Sequence, residues 1–285
     1  MNLIRKGSSE LVKVGKSISI TNKLLKEIDS REVVPSDDFR VSIPDEDFQE
    51  YLIDEHNLEF IDGTVAYGDI KGMTELYCSF FYKIHSLEGI QYFTSLQTLV
   101  CLGNQLTSID VSKNIALIKL SIDHNALTSI DVSRNILLTE LDCDFNELSN
   151  IDVSKNILLT KLRCECNQLS SIDLSKNIAL TDFHCAFNQL TTLDVSKNTA
   201  LTDLSCSENQ LTSIDVSKNL ALHNFWCRGN QLMNLDITNN TALTELRCYN
   251  NQLTSLDVSK SKALNELYCV DNNFDCYYLM EELGF

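Results

Sequence analysis

Residues Leu190 to Gln210 read LTTLDVSKNTALTDLSCSENQ, and Leu211 to Gln231 read LTSIDVSKNLALHNFWCRGNQ; the two register without a gap. The same frame starts at Leu106, Leu127, Leu148, Leu169, Leu190, Leu211, Leu232 and Leu253, after an altered unit at Ile84. A fixed period of this length marks a solenoid, whose coils bury their apolar faces only against their neighbours. Each unit also holds a shorter echo, since LTTLDVSKN and LTDLSCSEN share the plan Leu-x-x-Leu-x-apolar-x-x-Asn. Each half alternates apolar and polar residues over about five positions, as a half-buried strand does. Each closes on Asn, which tolerates turn geometry and bonds the backbone through its side chain. The expected fold is a strand-dominated α/β solenoid with parallel strand ladders, arranged as two strand stacks on either side of a thin core.

The pattern resembles leucine-rich repeats, LxxLxLxxNxL, and specifically the bacterial 21-residue class with nested half-repeats (IRREKO type), in which Cys often replaces the third Leu. The resemblance runs from Met73 to Phe274 and implies a recognition scaffold that could serve many ligands. Cys143, Cys164, Cys185, Cys206, Cys227, Cys248 and Cys269 share one slot of the frame with Ile122. A slot that accepts Cys or Ile is a small apolar core position, so buried, reduced thiols are expected there. Stacked in-register side chains point the same way, which argues against a disulfide framework. Cys164 and Cys166 sit two apart on a strand and face opposite sides, which argues against zinc. The Asn column from Asn104 to Asn272 reads as structural.

A net charge of −17 disfavours nucleic acid and anionic membrane surfaces. No apolar run approaches the roughly 18 residues of a membrane span. MNLIRKGSSELVKVGKS holds no continuous apolar core of about 7 to 15 residues, so it does not read as a secretory leader. With cysteines in no disulfide-type arrangement, the expected compartment is the cytoplasm. Met1 to Ser30 carries six basic residues against three acidic ones, and the next forty carry two against twelve. That reversal separates a basic extension (1–40), with helical spacing from Ser8 to Ile28, from an N-terminal cap (41–72). The solenoid (73–273) and a short C-terminal cap (274–285), read as a helical lid, follow. Ser42-Ile-Pro-Asp-Glu-Asp-Phe opens a helix, with Pro44 near its first turn and Asp45, Glu46 and Asp47 at the positive dipole end. It resembles the IPDxxFxxYL cap helix that precedes some bacterial leucine-rich repeats. The calcium-loop-like segment that can follow in such relatives lacks its Asp-x-Asp-x-Asp-Gly core here, so no metal is expected.

One half-turn displays Asp at the same position in every unit, from Asp110 to Asp257, with Ser or Thr two residues on. So uniform a surface reads as structural. Along the other half-turn the outward residues change with every coil. Asp142 and Asp144 lie in an acidic zone with Asp123, Glu140 and Glu165; Trp226, Arg228, Arg247, Tyr249 and Tyr268 form an aromatic–Arg zone; His184 lies between, with Asp182 on its face. Trp, Tyr and Arg dominate protein-binding hot spots. The sequence holds no Gly-rich phosphate loop, nucleophile elbow or His pair at metal spacing, so neither an enzyme nor a cofactor is expected. The resulting expectation is a cytoplasmic adaptor or regulatory subunit that binds a partner protein through the variable strand face. Residues 1–40 offer a second contact, and a cell-surface adhesin or carbohydrate binder is the alternative.

Overall fold

A computed structural model describes residues 34–79 and 81–277. Each coil contributes one three-residue strand, and the strands are β3 (Glu75–Tyr77), β4 (Thr98–Val100), β5 (Lys119–Ser121), β6 (Glu140–Asp142), β7 (Lys161–Arg163), β8 (Asp182–His184), β9 (Asp203–Ser205), β10 (Asn224–Trp226), β11 (Glu245–Arg247) and β12 (Glu266–Tyr268). Among the described residues they form one ten-stranded parallel sheet in sequence order. The 21-residue period becomes the sheet register: Asp142 lies beside Arg163, which lies beside His184.

Within a coil, the central strand residue and the Cys after it point into the core. Leu204, Cys206, Phe225 and Cys227 are buried, while Trp226 stays partly exposed on the other face. The Asn that closes the strand half ties one coil to the last. Asn209 Nδ2 donates to the carbonyls of Cys185, Cys206 and Ser207 at 3.0, 3.2 and 3.1 Å. Its Oδ1 accepts from Leu190 N–H at 2.9 Å. Repeated along the stack, these bonds satisfy the buried backbone groups of the strand-to-turn corner, which would otherwise be costly.

The other half does not form the second strand stack that the alternation suggested. Its N–H groups are used within the coil by successive tight turns, as in Asn198 N to Val195 O (3.0 Å) and Leu201 N to Asn198 O (3.1 Å). Asp194 Oδ1 accepts from Ser196 N at 2.9 Å, an Asx turn that recurs at each Asp of the column. Asn198 Nδ2 then reaches the carbonyls of Leu174 and Asn177 in the preceding coil, at 3.1 and 2.9 Å. The alternation there reflects inward-pointing turn residues and not a pleat.

A helix and a small hairpin sit at the solenoid's first end. Helix α1 (Glu46–His56) starts at Asp45, whose Oδ1 accepts from Phe48 N–H, and buries Phe48, Tyr51 and Leu52. Pro44 precedes that cap. Asp45 Oδ2 also takes the N–H groups of His85 and Ser86, and Tyr51 Oη takes Tyr77 N–H at 2.8 Å. The helix thereby occupies an N–H of the edge strand β3, the kind of group that would otherwise recruit another chain. Strand β1 (Arg40–Ser42) pairs antiparallel with β2 (Thr64–Ala66), followed by the short helix α2 (Tyr67–Ile70). The backbone carbonyls of Asp37 and Phe39 accept from Gly68 and Tyr67. The boundary drawn after residue 40 therefore runs through β1, and residues 37–40 are bonded into the cap.

At the far end, Cys269 is joined to Cys276. This corrects the expectation that the whole Cys column is free. Cys276 lies outside the repeat frame, so the in-register geometry that forbids pairing between column cysteines does not apply to it. Cys143, Cys164, Cys185, Cys206, Cys227 and Cys248 are free and buried. The helix expected over Ser8–Ile28 and most of the C-terminal lid lie outside the described residues.

Candidate interaction face

The strand face brings most of the singled-out residues together. Along the central outward column, His184 and Trp226 approach with ring centroids 5.6 Å apart. The Arg247 guanidinium lies 4.9 Å from the Trp226 ring and 5.2 Å from the Tyr268 ring. One column over, Arg228 lies 5.4 Å from both the Tyr249 and Phe187 rings. Two arginines are thus each held between two aromatic faces. Arg228 Nη1 also donates to Glu208 Oε1 at 2.7 Å, and Arg247 Nε donates to Glu245. Planar cations fixed on both faces and one edge lose little conformational freedom when a partner arrives. Arg247, Tyr249, Tyr268 and Val270 line a hollow of about 280 Å³ at this end of the face.

The middle of the face is denser than the sequence implied. Ser205, Ser207 and Ala186 occupy outward positions and yet are buried. Their neighbours' longer side chains account for this: His184 lies between Asp182 (Nε2 to Oδ1, 3.4 Å) and Glu165 (Nδ1 to Oε1, 3.6 Å), and Arg163 reaches Asp182 at 3.3 Å. Burial pushes the His184 pKa down, against the pull of Asp182 and Glu165. Ser205 Oγ donates to Glu165 Oε1 at 3.1 Å. The hydroxyl thus engages Glu165 and not His184, the reverse of what a serine nucleophile with a histidine base requires.

Asp142 and Asp144 form the acidic zone on β6 and just after it. Burial, then the charge of Asp142, pushes the Asp144 carboxyl up to about 8; burial, then Asp123, also raises Asp142. Around neutral pH this zone therefore carries less negative charge than its residue types suggest. Among the described residues no group of three or more His, Cys, Asp or Glu is placed to hold a metal ion.

The sequence reading missed Phe187 and Phe145. Both are close to half exposed, at positive φ (53° and 50°), in the column just before the Asn. Other coils place Gly103, Gly229 or Asn250 there, residues suited to the left-handed region. The column also holds His124, Cys166, Glu208 and Asp271 at positive φ, and Phe145 and Phe187 are its two large apolar members.

One parallel sheet of single-strand coils, an inward Leu and Cys on each strand, and an Asn spine together decide the fold. It is that of a leucine-rich-repeat protein. The solved functional domain of InlJ from Listeria monocytogenes, which includes a cysteine ladder, superposes with a TM-score of 0.71 at 34% identity. That match covers 84% of this chain and 58% of the InlJ domain, so this chain spans well under two thirds of that relative. An internalin, InlF, from the same species matches at TM-score 0.55 and 21% identity, over 81% of this chain and 84% of that one. The leucine-rich-repeat ectodomain of the Arabidopsis thaliana receptor kinase GASSHO1/SCHENGEN3, solved in complex with CASPARIAN STRIP INTEGRITY FACTOR 2, matches at 0.65 and 22%, over 73% and 28%. No family model and no curated protein matches the sequence. Among the described residues no helix is long and apolar enough to cross a membrane.

Proposed function

We propose that this leucine-rich-repeat chain binds a partner protein through its strand face, with the aromatic–Arg stack as the anchor. The observation that carries the reading is the alternation Trp226–Arg247–Tyr268 beside the hollow. The Trp226 indole N–H is buried without a hydrogen-bond partner among the described residues, a cost of about 1 to 3 kcal/mol. His184 abuts the anchor, and Asp142 and Asp144 form the far flank. Residues 1–40 offer a second contact to a partner.

Two settings fit such a module, an intracellular adaptor and an outward-facing binder. The adaptor setting leaned on cysteines without disulfides, and the Cys269–Cys276 bond favours the second, because such bonds persist in oxidising surroundings. The reading is tested by immobilising the chain and its variants. A partner retained by the parent should be released by Trp226→Ala and kept by Ser213→Ala. Retention by Trp226→Ala overturns the anchor and moves the contact to the acidic zone around Asp142.

A further inference from the structure

The last coil differs from the rest in how it is held. Among the described residues, strand β12 pairs on one side only, with β11. Its Tyr268 and the adjoining Val270 are half the wall of the 280 Å³ hollow, and Cys269 between them is bonded to Cys276. The only covalent restraint on that end of the sheet in the described residues therefore acts at the centre of the tripeptide that shapes the hollow.

We propose that the Cys269–Cys276 bond is a redox gate on the strand face: closed, it holds the Tyr268 wall against Arg247; reduced, it frees the wall and weakens partner binding. This rests on the partner-binding reading above.

A dithiol reductant supplies the electrons. One of its thiolates attacks Sγ of Cys276, a residue 4% exposed where Cys269 is 0%, flanked in sequence by the exposed Asp275 and Tyr277. The S–S bond breaks and its electron pair leaves on Cys269 Sγ, which takes a proton. The reductant's second thiol then attacks the mixed disulfide, releasing Cys276 as a thiol and leaving the reductant as a cyclic disulfide. Two protein thiols form as one reductant disulfide forms.

The change stays confined to this one bond. Cys248, the neighbouring buried thiol in the column, is pushed up to about 12 by burial, which disfavours the thiolate, the attacking species. A disulfide at the end of the column is therefore not passed inward along it. The effect falls on the hollow because the carbonyls of Tyr268 and Val270 accept from β11 and its continuation: Cys248 N to Tyr268 O (2.9 Å) and Asn250 N to Val270 O (3.1 Å). Those two amides report on the wall.

The test compares the oxidised chain, the chain reduced with dithiothreitol, and Cys276→Ser without reductant. Hydrogen exchange at the Cys248 and Asn250 amides should quicken at least tenfold in the latter two. The Cys227 and Gly229 amides, which make the equivalent bonds one strand further in, should not change. Affinity for the partner captured on the oxidised chain should fall at least fivefold. Unchanged exchange in both the reduced chain and Cys276→Ser overturns the gate. Faster exchange with unchanged affinity overturns it too, and leaves the anchor reading standing as long as Trp226→Ala fails to bind. If Trp226→Ala binds as well as the parent, the anchor reading has failed and the gate falls with it.

Discussion

The turn side and the strand side of this solenoid repeat on the same period, yet they use their polar residues in opposite ways. On the turn side every Asp from Asp110 to Asp257 is exposed and spends an oxygen on the backbone N–H two residues on. Stacked about 4.8 Å apart, these acids would repel one another, and the hydrogen bonds instead favour their charged forms. On the strand side, Asp142, Asp144 and His184 are largely buried, and burial disfavours their charged forms. The constant side is built to be charged and satisfied. The variable side holds charge under strain and stacks arginines on aromatic rings. Uniformity marks a surface selected for the coil, and the departures mark what the coil displays.

The largest effect should come from a change that breaks both sides at once. Asn188 Nδ2 donates to the carbonyls of Cys164, Cys185 and Ala186, and its Oδ1 accepts from Leu169 N–H. Asn188→Ala leaves several buried backbone groups unpaired and should cost about 3 kcal/mol or more, read as a lowered urea midpoint. A loss under about 1 kcal/mol would mean that the spine is not what joins the coils.

Next comes the contrast between the sides. Trp226→Ala should weaken partner binding by about 2 kcal/mol or more if the stack is the anchor. The urea midpoint should barely move, since Phe225 and Cys227 supply the core at that strand. Loss of binding accompanied by unfolding would make the stack packing, and the comparison would lose its functional half.

Much of this was legible in the residues. The frame alone assigned the register, the inward Leu and Cys, and the outward columns, because a period of 21 maps each position onto its neighbour. The residues of the aromatic–Arg stack were legible for the same reason. The second strand stack was misread, because turn residues pointing inward produce the same alternation as a pleat. The Ser-Lys-Asn run after most of the Asp residues, varied to Ser-Arg-Asn after Asp131, Thr-Asn-Asn after Asp236 and Ser-Lys-Ser after Asp257, was the signal for turns. The buried state of Ser205 and Ser207 was not legible, since it depends on how far His184, Trp226 and Arg228 reach across a strand. Cys276 was readable in principle, as a cysteine outside the frame and seven residues from one inside it.

The pH response should separate the sides by sign. Each turn-side Asp has a folded pKa below its unfolded value. Its contribution is present above the unfolded value near 4 and is lost as pH falls through the folded one. Asp144 has a folded pKa of about 8, so between roughly 4 and 8 the folded state binds a proton that the unfolded state does not. Stability should therefore fall as pH rises through that window. Asp144→Asn keeps an oxygen to accept from Glu165 N–H and should flatten the slope between pH 5 and 8, a window set by linkage of roughly one carboxyl. It should leave the loss below pH 4, where the turn-side acids protonate, unchanged. An upper-window slope that Asp144→Asn leaves unchanged would show the strand-side acid to be an ordinary solvated one.

The smallest effect belongs to Ser213→Ala, and it is the one that makes the others interpretable. Ser213 is exposed on the turn side, in the coil whose strand carries Trp226, beside Asp215, whose Oδ1 takes Ser217 N–H and not the Ser213 hydroxyl. The substitution removes one hydroxyl from a shallow hollow lined by Thr192, Asp194, Ser196 and Asp215. Surface changes of this kind fall within about 0.5 kcal/mol of the parent, and partner affinity should be unchanged. A substantial loss of binding from Ser213→Ala, with the urea midpoint intact, would place a contact on the constant side. Sequence variation between coils would then no longer tell the displayed surface from the structural one. The Asp column, regular as it is, would have to be read as part of what the partner recognises.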